Sequence, residues 1–431
     1  MSKKVLIITY YWPPAGGPGV QRWLKFVKYL PEYGVEPIVY CPENPSYPIL
    51  DKHLENEISD EIKILKQPIF EPYQWASIFS KNKTKKIASG LFNVQKQSFT
   101  EKLLLYIRGN FFIPDARKFW VKPSVKFLAN YIEKNNIETI ITTGPPHSLH
   151  LIGLQLKKQL NINWIADFRD PWTTIGYHSK MKLSEKSQLK HKFLEREVLN
   201  NTDHVIVTSP TTKTEFSNIT NKPITVITNG FDDVNLTKQS LDNKFTIAHI
   251  GSLLTGRDPK VLWQALAELI NEIPNFKSNF ELKLIGAVSE DVISSIYDSG
   301  LKSYTNLVGY LPHVEAQKQQ FISQVLLLIE INSNKTKGII PGKVFEYIQS
   351  GRPILGFGPE NADFKTIISE TNTGECFNYN FTEKEFIKNK IIELFRLYQN
   401  NKLVSIGIGI QKYHRKNLTK KLSNLLLTDT L

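Results

Sequence analysis

Five short segments gather the residue types that bind charge and hydroxyl groups. In 338–355, GIIPGKVFEYIQSGRPIL, Pro341 and Gly351 bracket a short helix that begins at Gly342 and Lys343. Free N–H groups and the dipole at such a start attract an anion, and Lys343 adds a full positive charge there. Glu346, about one turn further in, suits two adjacent hydroxyls such as those of a ribose; its bland alternative is a first-turn acid balancing the dipole. In 249–260, HIGSLLTGRDPK, a strand ends in Gly251 and a helix starts near Pro259. Arg257 can fork onto a diphosphate and Lys260 can add a point charge, against a plain surface role for both.

The other three segments lie in the first half of the chain. WPPAGGPGVQR, 12–22, stands between a strand and a helix, and Gly16 and Gly17 let a backbone approach a ligand. It does not satisfy G-x-G-x-x-G, because Arg22 follows Gly17 and Gly19 at the last position. TTGPPHSLH, 142–150, also follows a strand; Ser148 suits a helix cap, while His147 and His150 are placed to face a ligand or simply to pack. WIADFRDPW, 164–172, puts Asp167, Arg169 and Asp170 among aromatics at a strand end, a costly arrangement unless paired or used. It reads either as an Asp–Arg–Asp network holding the loop or as a carboxylate-and-ring surface for sugar hydroxyls.

These segments need elements to hold them. Short β-branched runs at 5–11, 37–40, 139–143, 163–167, 204–208 and 224–228 alternate with helix-period segments at 20–30, 121–133, 149–160 and 184–200. A second series follows, with strands at 245–250, 280–285, 307–308, 325–330 and 353–357, and helices at 259–270, 341–350 and 383–400. The alternation specifies an α/β chain of two Rossmann-like, doubly wound domains facing across a cleft, 1–235 and 236–431, the second with a helical tail. Polar 232–243 reads as the linker, and 44–120 as irregular, basic and aromatic.

Composition narrows the classes. With 431 residues, 41% hydrophobic and 22% charged, the chain is of ordinary globular type. No stretch approaches the ~20 apolar residues of a membrane span. Cys41 and Cys376 give neither a metal spacing nor a disulfide framework, which fits a reducing, cytoplasmic compartment. The net charge of +13 calls for an anionic partner, yet no nucleic-acid motif is present. Between Trp75 and Asn130, eleven lysines and arginines stand against Glu101 and Asp115, interleaved with Phe79, Leu91, Phe92, Phe99, Leu103, Tyr106, Phe111, Phe112 and Trp120. That mixture suits an anionic membrane face, or a solvated surface.

The segment PGKVFEYIQSGRPIL resembles the donor-binding segment of the family-4 retaining glycosyltransferases of GT-B fold, relatives of glycogen synthase. TTGPPHSLH and WIADFRDPW are similar to bacterial members that build surface polysaccharides. The resemblance implies a metal-independent transferase, without cofactor, moving a sugar from a nucleotide-sugar donor to a glycan or lipid-linked acceptor. Glu346 then looks like the ribose-binding second glutamate of the family's E-x7-E, and Arg257 like its pyrophosphate arginine. Lys260 or Lys343 would share the lysine's role, with Gly16, Gly17, Gly251 and Gly342 around the diphosphate. His147 would orient or polarise alongside Arg257 and Lys343, and Asp167, Arg169 and Asp170 would meet the acceptor. The first glutamate of the motif falls at 338, which is glycine here. Absence of D-x-D agrees with metal independence. The alternatives are a nucleotide-sugar epimerase of the same fold, an inactive sugar-binding relative and, in another class, a dehydrogenase. The implied location is cytoplasmic, peripheral on the inner membrane.

Overall fold

The computed structural model describes residues 2–71, 99–174, 181–234 and 239–428. They form two compact units, Met1–Asn229 with Arg415–Leu431, and Gly230–His414.

The first unit is built on strands β1 (Lys3–Ile8), β2 (Val35–Pro42), β3 (Lys63–Gln67), β4 (Thr139–Gly144), β5 (Asn163–Phe168), β6 (His204–Val207) and β7 (Ile224–Val226). They pair in parallel in the order β3-β2-β1-β4-β5-β6-β7. Helices α1 (Pro18–Tyr29), α2 (Phe99–Phe111), α3 (Lys118–Asn135), α4 (Ser148–Gln159), α5 (Glu185–Asn201) and α6 (Pro210–Ser217) intervene. Successive side chains of a strand point to opposite faces. Thus Val5 and Ile7 of β1 pack in one apolar cluster with α1, while Leu6 and Ile8 pack in another with α3 and α4. A sheet covered on both faces requires the near-continuous apolar strands that the sequence shows.

The second unit repeats the plan with β8 (Phe245–Ile250), β9 (Phe280–Ile285), β10 (Thr305–Gly309), β11 (Val325–Ile329), β12 (Ile354–Phe357) and β13 (Gly374–Phe377). Its helices are α7 (Lys260–Glu272), α8 (Pro274–Asn279), α9 (Glu290–Asp298), α10 (His313–Ile322), α11 (Lys343–Gln349), α12 (Asp363–Glu370) and α13 (Lys384–Gln399). The parallel order β10-β9-β8-β11-β12-β13 is that of a dinucleotide-type sheet. Val325, Leu327 and Ile329 of β11 face one cluster, Leu326 and Leu328 the other.

The terminal helix α14 (Arg415–Leu427) departs from expectation. Assigned above to the second domain, it belongs to the first unit, where Leu418, Leu422 and Leu426 are buried with Val5, Trp23 and Leu24. Their i, i+4, i+8 spacing lays one leucine stripe on α1, and burial of each stabilises by about 2 kcal/mol. Arg415 adds a hydrogen bond to Gln21 Oε1 at 3.1 Å. The linker also shifts: Phe231 already packs in the second unit's core, and Asp242 is tied there by Lys283 at 2.7 Å and by the Thr246 hydroxyl. The region 44–120, read as irregular, contains β3, α2 and the start of α3. Trp75, Phe79, Leu91 and Phe92 lie outside the described residues.

Candidate functional site

In a doubly wound sheet, ligands bind beyond the carboxyl ends of the strands, where the order reverses. In the second unit that point falls between β8 and β11. β8 runs into Gly251, at φ 122°, and β11 runs into Glu330. The Tyr347 hydroxyl accepts the Ile250 N–H at 3.1 Å and so fastens α11 to the end of β8. Lys343 lies one turn before Tyr347 on the same helix face. Its Nζ is 2.6 Å from where a Cβ at position 251 would stand, so glycine there answers both a left-handed φ and a crossing ammonium.

Around that ammonium stand Glu330, Arg257 and Glu346. Burial pushes Lys343 down to about 8; Arg257 acts the same way, and the two glutamates oppose it. No hydrogen bond or ion pair of Nζ is present among the described residues. Arg257 donates Nη2 to Glu330 Oε1 at 3.1 Å, and its buried Nε has no partner among the described residues. Glu330 is buried, its N–H bonded to Phe357 O at 2.8 Å and its carbonyl accepting the Tyr379 hydroxyl at 2.6 Å. Glu346 accepts Gln320 Nε2 at 2.7 Å and faces His313 Nε2 at 3.6 Å, so α10 orients the carboxylate. An unpaired, half-buried ammonium and a guanidinium with donors to spare are suited to a diphosphate.

Of the residues expected to bind a donor, Gly251, Arg257, Gly342, Lys343 and Glu346 thus fall in one neighbourhood of the second unit. Lys260 stands exposed as the first residue of α7. Gly16 and Gly17 belong to the first unit. Gly16 donates its N–H to Ile49 O at 3.0 Å, and a Cβ there would press on Ile49 and Asp51, so the glycine serves local packing. Glu330 was not anticipated. Its signal is an acid directly after the apolar run of β11, at the carboxyl end where a charge is otherwise expensive.

The first unit gathers the loops after β1, β4 and β5. Asp167 is fully buried and saturated: it accepts Arg22 Nη2 at 3.0 Å, Trp23 Nε1 at 2.8 Å and the Thr143 hydroxyl at 2.9 Å. Its ion-pair partner is therefore Arg22 rather than the Arg169 of the expected network. Arg169 turns to the Gly144 and Pro145 carbonyls and stacks over Tyr11, its guanidinium 5.7 Å from the ring centre. A Cβ on Gly19 would collide with that guanidinium, so the third glycine of the first loop makes room for an arginine. Burial pushes the Asp170 carboxyl up, with Arg169 opposing.

His147 immediately precedes α4 and is buried, its ring parallel to Trp172 within 3° at 4.9 Å. His150 is a core residue: it bonds Thr142 Oγ1 at 2.9 Å, stacks on Phe168 and is pushed by burial down to about 3. Ser148 does not cap α4; Asp115 does, accepting the Ser148 N–H at 2.9 Å and its hydroxyl at 2.8 Å. In the basic-aromatic stretch Trp120 is core, stacked on Tyr40, whereas Leu103, Tyr106 and Phe111 are exposed. Among the described residues no group of three or more metal-ligating side chains occurs, and no helix is long and apolar enough to cross a membrane.

Comparison with known proteins bears on the fold. Residues 93–234 match the family described as Glycosyltransferase Family 4. A glycosyltransferase from Rickettsia africae ESF-5 superposes with TM-score 0.59 at 16% identity, covering 100% of both chains. Anabaena Alr3699/HepE in complex with UDP gives 0.62 at 13% identity, over 98% of this chain and 99% of the other. WaaG, a glycosyltransferase involved in lipopolysaccharide biosynthesis, gives 0.53 at 12%, over 98% and 100%. No curated protein sequence matches the chain. The two-sheet architecture is that of the GT-B glycosyltransferases. The family-4 match is thus confined to residues 93–234, while the fold of the whole chain is the one shared with these glycosyltransferases.

Proposed function

We propose that the protein is a retaining, metal-independent transferase that passes a sugar from a nucleotide diphosphate to a glycan or lipid-linked acceptor during surface polysaccharide synthesis. The observation that carries this is the unpaired Lys343 ammonium over Gly251 beside Arg257, at the switch point of the second sheet. Sugar transfer passes through an oxocarbenium-like transition state while charge builds on the departing diphosphate. Arg257 and Lys343 stabilise that charge as fixed cations, in the role a metal fills elsewhere. Glu346, already oriented by Gln320, takes the ribose hydroxyls. The departing phosphate takes the acceptor proton, and His147 orients the reacting sugar. Arg169 and Asp170 of the first unit meet the acceptor. UDP in the Anabaena neighbour and lipopolysaccharide synthesis by WaaG support the substrate class.

A thermal-shift screen of UDP-, GDP-, ADP- and dTDP-sugars, with EDTA present, tests the donor assignment. One nucleotide should stabilise the chain specifically, by about 2.7 kcal/mol at a hundredfold excess over Kd. Glu346→Ala should remove that shift; an unchanged shift would reject the ribose assignment. Product analysis with a glycan acceptor then separates transfer with retention from isomerisation or hydrolysis of the donor.

The basic-aromatic stretch supports a cytoplasmic enzyme resting on the inner leaflet. Arg108, Lys118 and Lys122 accompany the exposed Leu103, Tyr106, Phe111 and Phe119. Flotation should recover the protein with anionic vesicles at low salt and release it at high salt. No binding to anionic vesicles would reject the membrane assignment.

A further inference from the structure

The loop after β5 is held from α5 in a way that sugar binding does not require. Trp172 is buried, and its ring lies parallel to His147. The indole has one polar atom, Nε1, which donates to His191 Nδ1 at 3.1 Å. His191 is itself buried on α5 and stands edge-on to the indole, the planes at 84°. One turn later on the same helix face, Glu195 accepts the Thr173 N–H at 3.0 Å and the Thr173 hydroxyl at 2.6 Å. Adjacent loop residues are therefore pinned at two points one helical turn apart.

The His191 ring is also held in one charge state. The Gly109 backbone of α2 favours the protonated ring, but burial outweighs it. Glycine at 109 lets α2 pass close to residues 181–183, since a Cβ there would meet Met181 O at 2.9 Å and Leu183 Cδ2 at 2.5 Å. Burial holds the His191 ring down at about 4, so it stays neutral and Nδ1 keeps the lone pair that Trp172 needs. A hydrogen bond at Nε1 fixes the rotation of an indole about its own bond, and a parallel stack passes that plane to its neighbour. His147 lies next in the line.

We propose that Trp172 and His191 are positioning residues, which set the plane of the His147 imidazole through the His191–Trp172 hydrogen bond and the Trp172–His147 stack. This rests on His147 as the group that orients the reacting sugar. A ring near reacting atoms has to be aimed, because a small misplacement costs orders of magnitude in rate.

The test uses the full-length chain, 15N-labelled at histidine, and as substrate whichever of UDP-, GDP-, ADP- or dTDP-glucose is turned over fastest. His191→Leu removes the acceptor and keeps bulk, Trp172→Phe keeps the stack and removes the donor, and His191→Asn restores an acceptor near Nδ1. The first two should lower kcat about 10-fold with donor KM within about 2-fold. They should also move the His147 ring signals, identified from their loss in His147→Gln. His191→Asn should recover most of both. If Trp172→Phe and folded His191→Leu keep wild-type kcat and His147 signals, the proposal is overturned; if His191→Leu does not fold, Trp172→Phe decides alone. Wild-type kcat in His147→Gln would instead remove the role of His147, and the proposal with it.

Discussion

Lys343→Met should make this enzyme much slower and more stable. Lys343 is half-buried with its ammonium over Gly251, and its pKa, lowered by desolvation to about 8 from an ordinary 10.5, says that the folded protein holds this charge at a cost. A group kept against its solvation preference is a mark of function, because stability alone would have removed it. Without Lys343 the developing charge on the diphosphate loses one of its two fixed cations. Loss of one such donor costs ~3–4 kcal/mol, or about 10² to 10³ in kcat/KM. Arg257, tied to Glu330, remains but cannot reproduce a second point charge.

The pH dependence follows with a definite sign. Below the folded pKa both folded and unfolded chains carry the proton, and the desolvation penalty on the charge is fully present. As pH rises from about 8 toward 10.5 the folded form releases the proton first, and the penalty disappears. The Tm advantage of Lys343→Met should therefore be greatest at pH 7 and vanish above about 10. Donor affinity of the wild type should fall as pH climbs through about 8, because the cation facing the diphosphate is lost, and the variant should be flat across that range. Calorimetry and donor titration on both proteins check it; a variant with wild-type kcat/KM would remove Lys343 from the site.

Much of this site was legible in the sequence because parallel sheets put ligands at strand ends, and strand ends are where apolar runs stop. GSLLTGRD stands directly after such a run, and GKVFEY opens the helix bracketed by Pro341 and Gly351, so Arg257, Lys343 and Glu346 are readable from the sequence. What sequence spacing does not carry is which long-range partner a buried charge takes. Arg22 and Asp167 are 145 residues apart, so the Asp–Arg–Asp spelling of 167–170 suggested a local network that the fold does not make. The terminal helix posed the same difficulty. Its leucine stripe declares an apolar face, but nothing local says which unit it covers. Short helices such as α9, α10 and α12 have only one to three buried positions, too little period to stand out from loop.

Asp167 decides between structure and recognition. Carried over from the resemblance, it would touch the acceptor; in the fold both its oxygens are taken up inside the first unit. The Asp167→Asn change keeps the shape and removes the charge. Arg22, whose side chain is 2% exposed, would be left with the Thr228 carbonyl at 2.7 Å and no counter-ion. The amide also cannot accept from Trp23, Thr143 and Arg22 while presenting its own two hydrogens among them. Removing one partner of a buried pair costs ~3–5 kcal/mol, a large part of the ~5–15 kcal/mol that holds a domain folded. Arg22 and Trp23 belong to α1, Thr143 to β4 and Asp167 to β5, so one carboxylate ties three elements at the switch point of the first sheet. Asp167→Asn should therefore lower the melting temperature of the first unit and expose its amides to hydrogen exchange, while the second unit still binds donor nucleotide. If the melt is unchanged and only the acceptor KM rises, Asp167 is an acceptor ligand and the buried network is not what holds the loop.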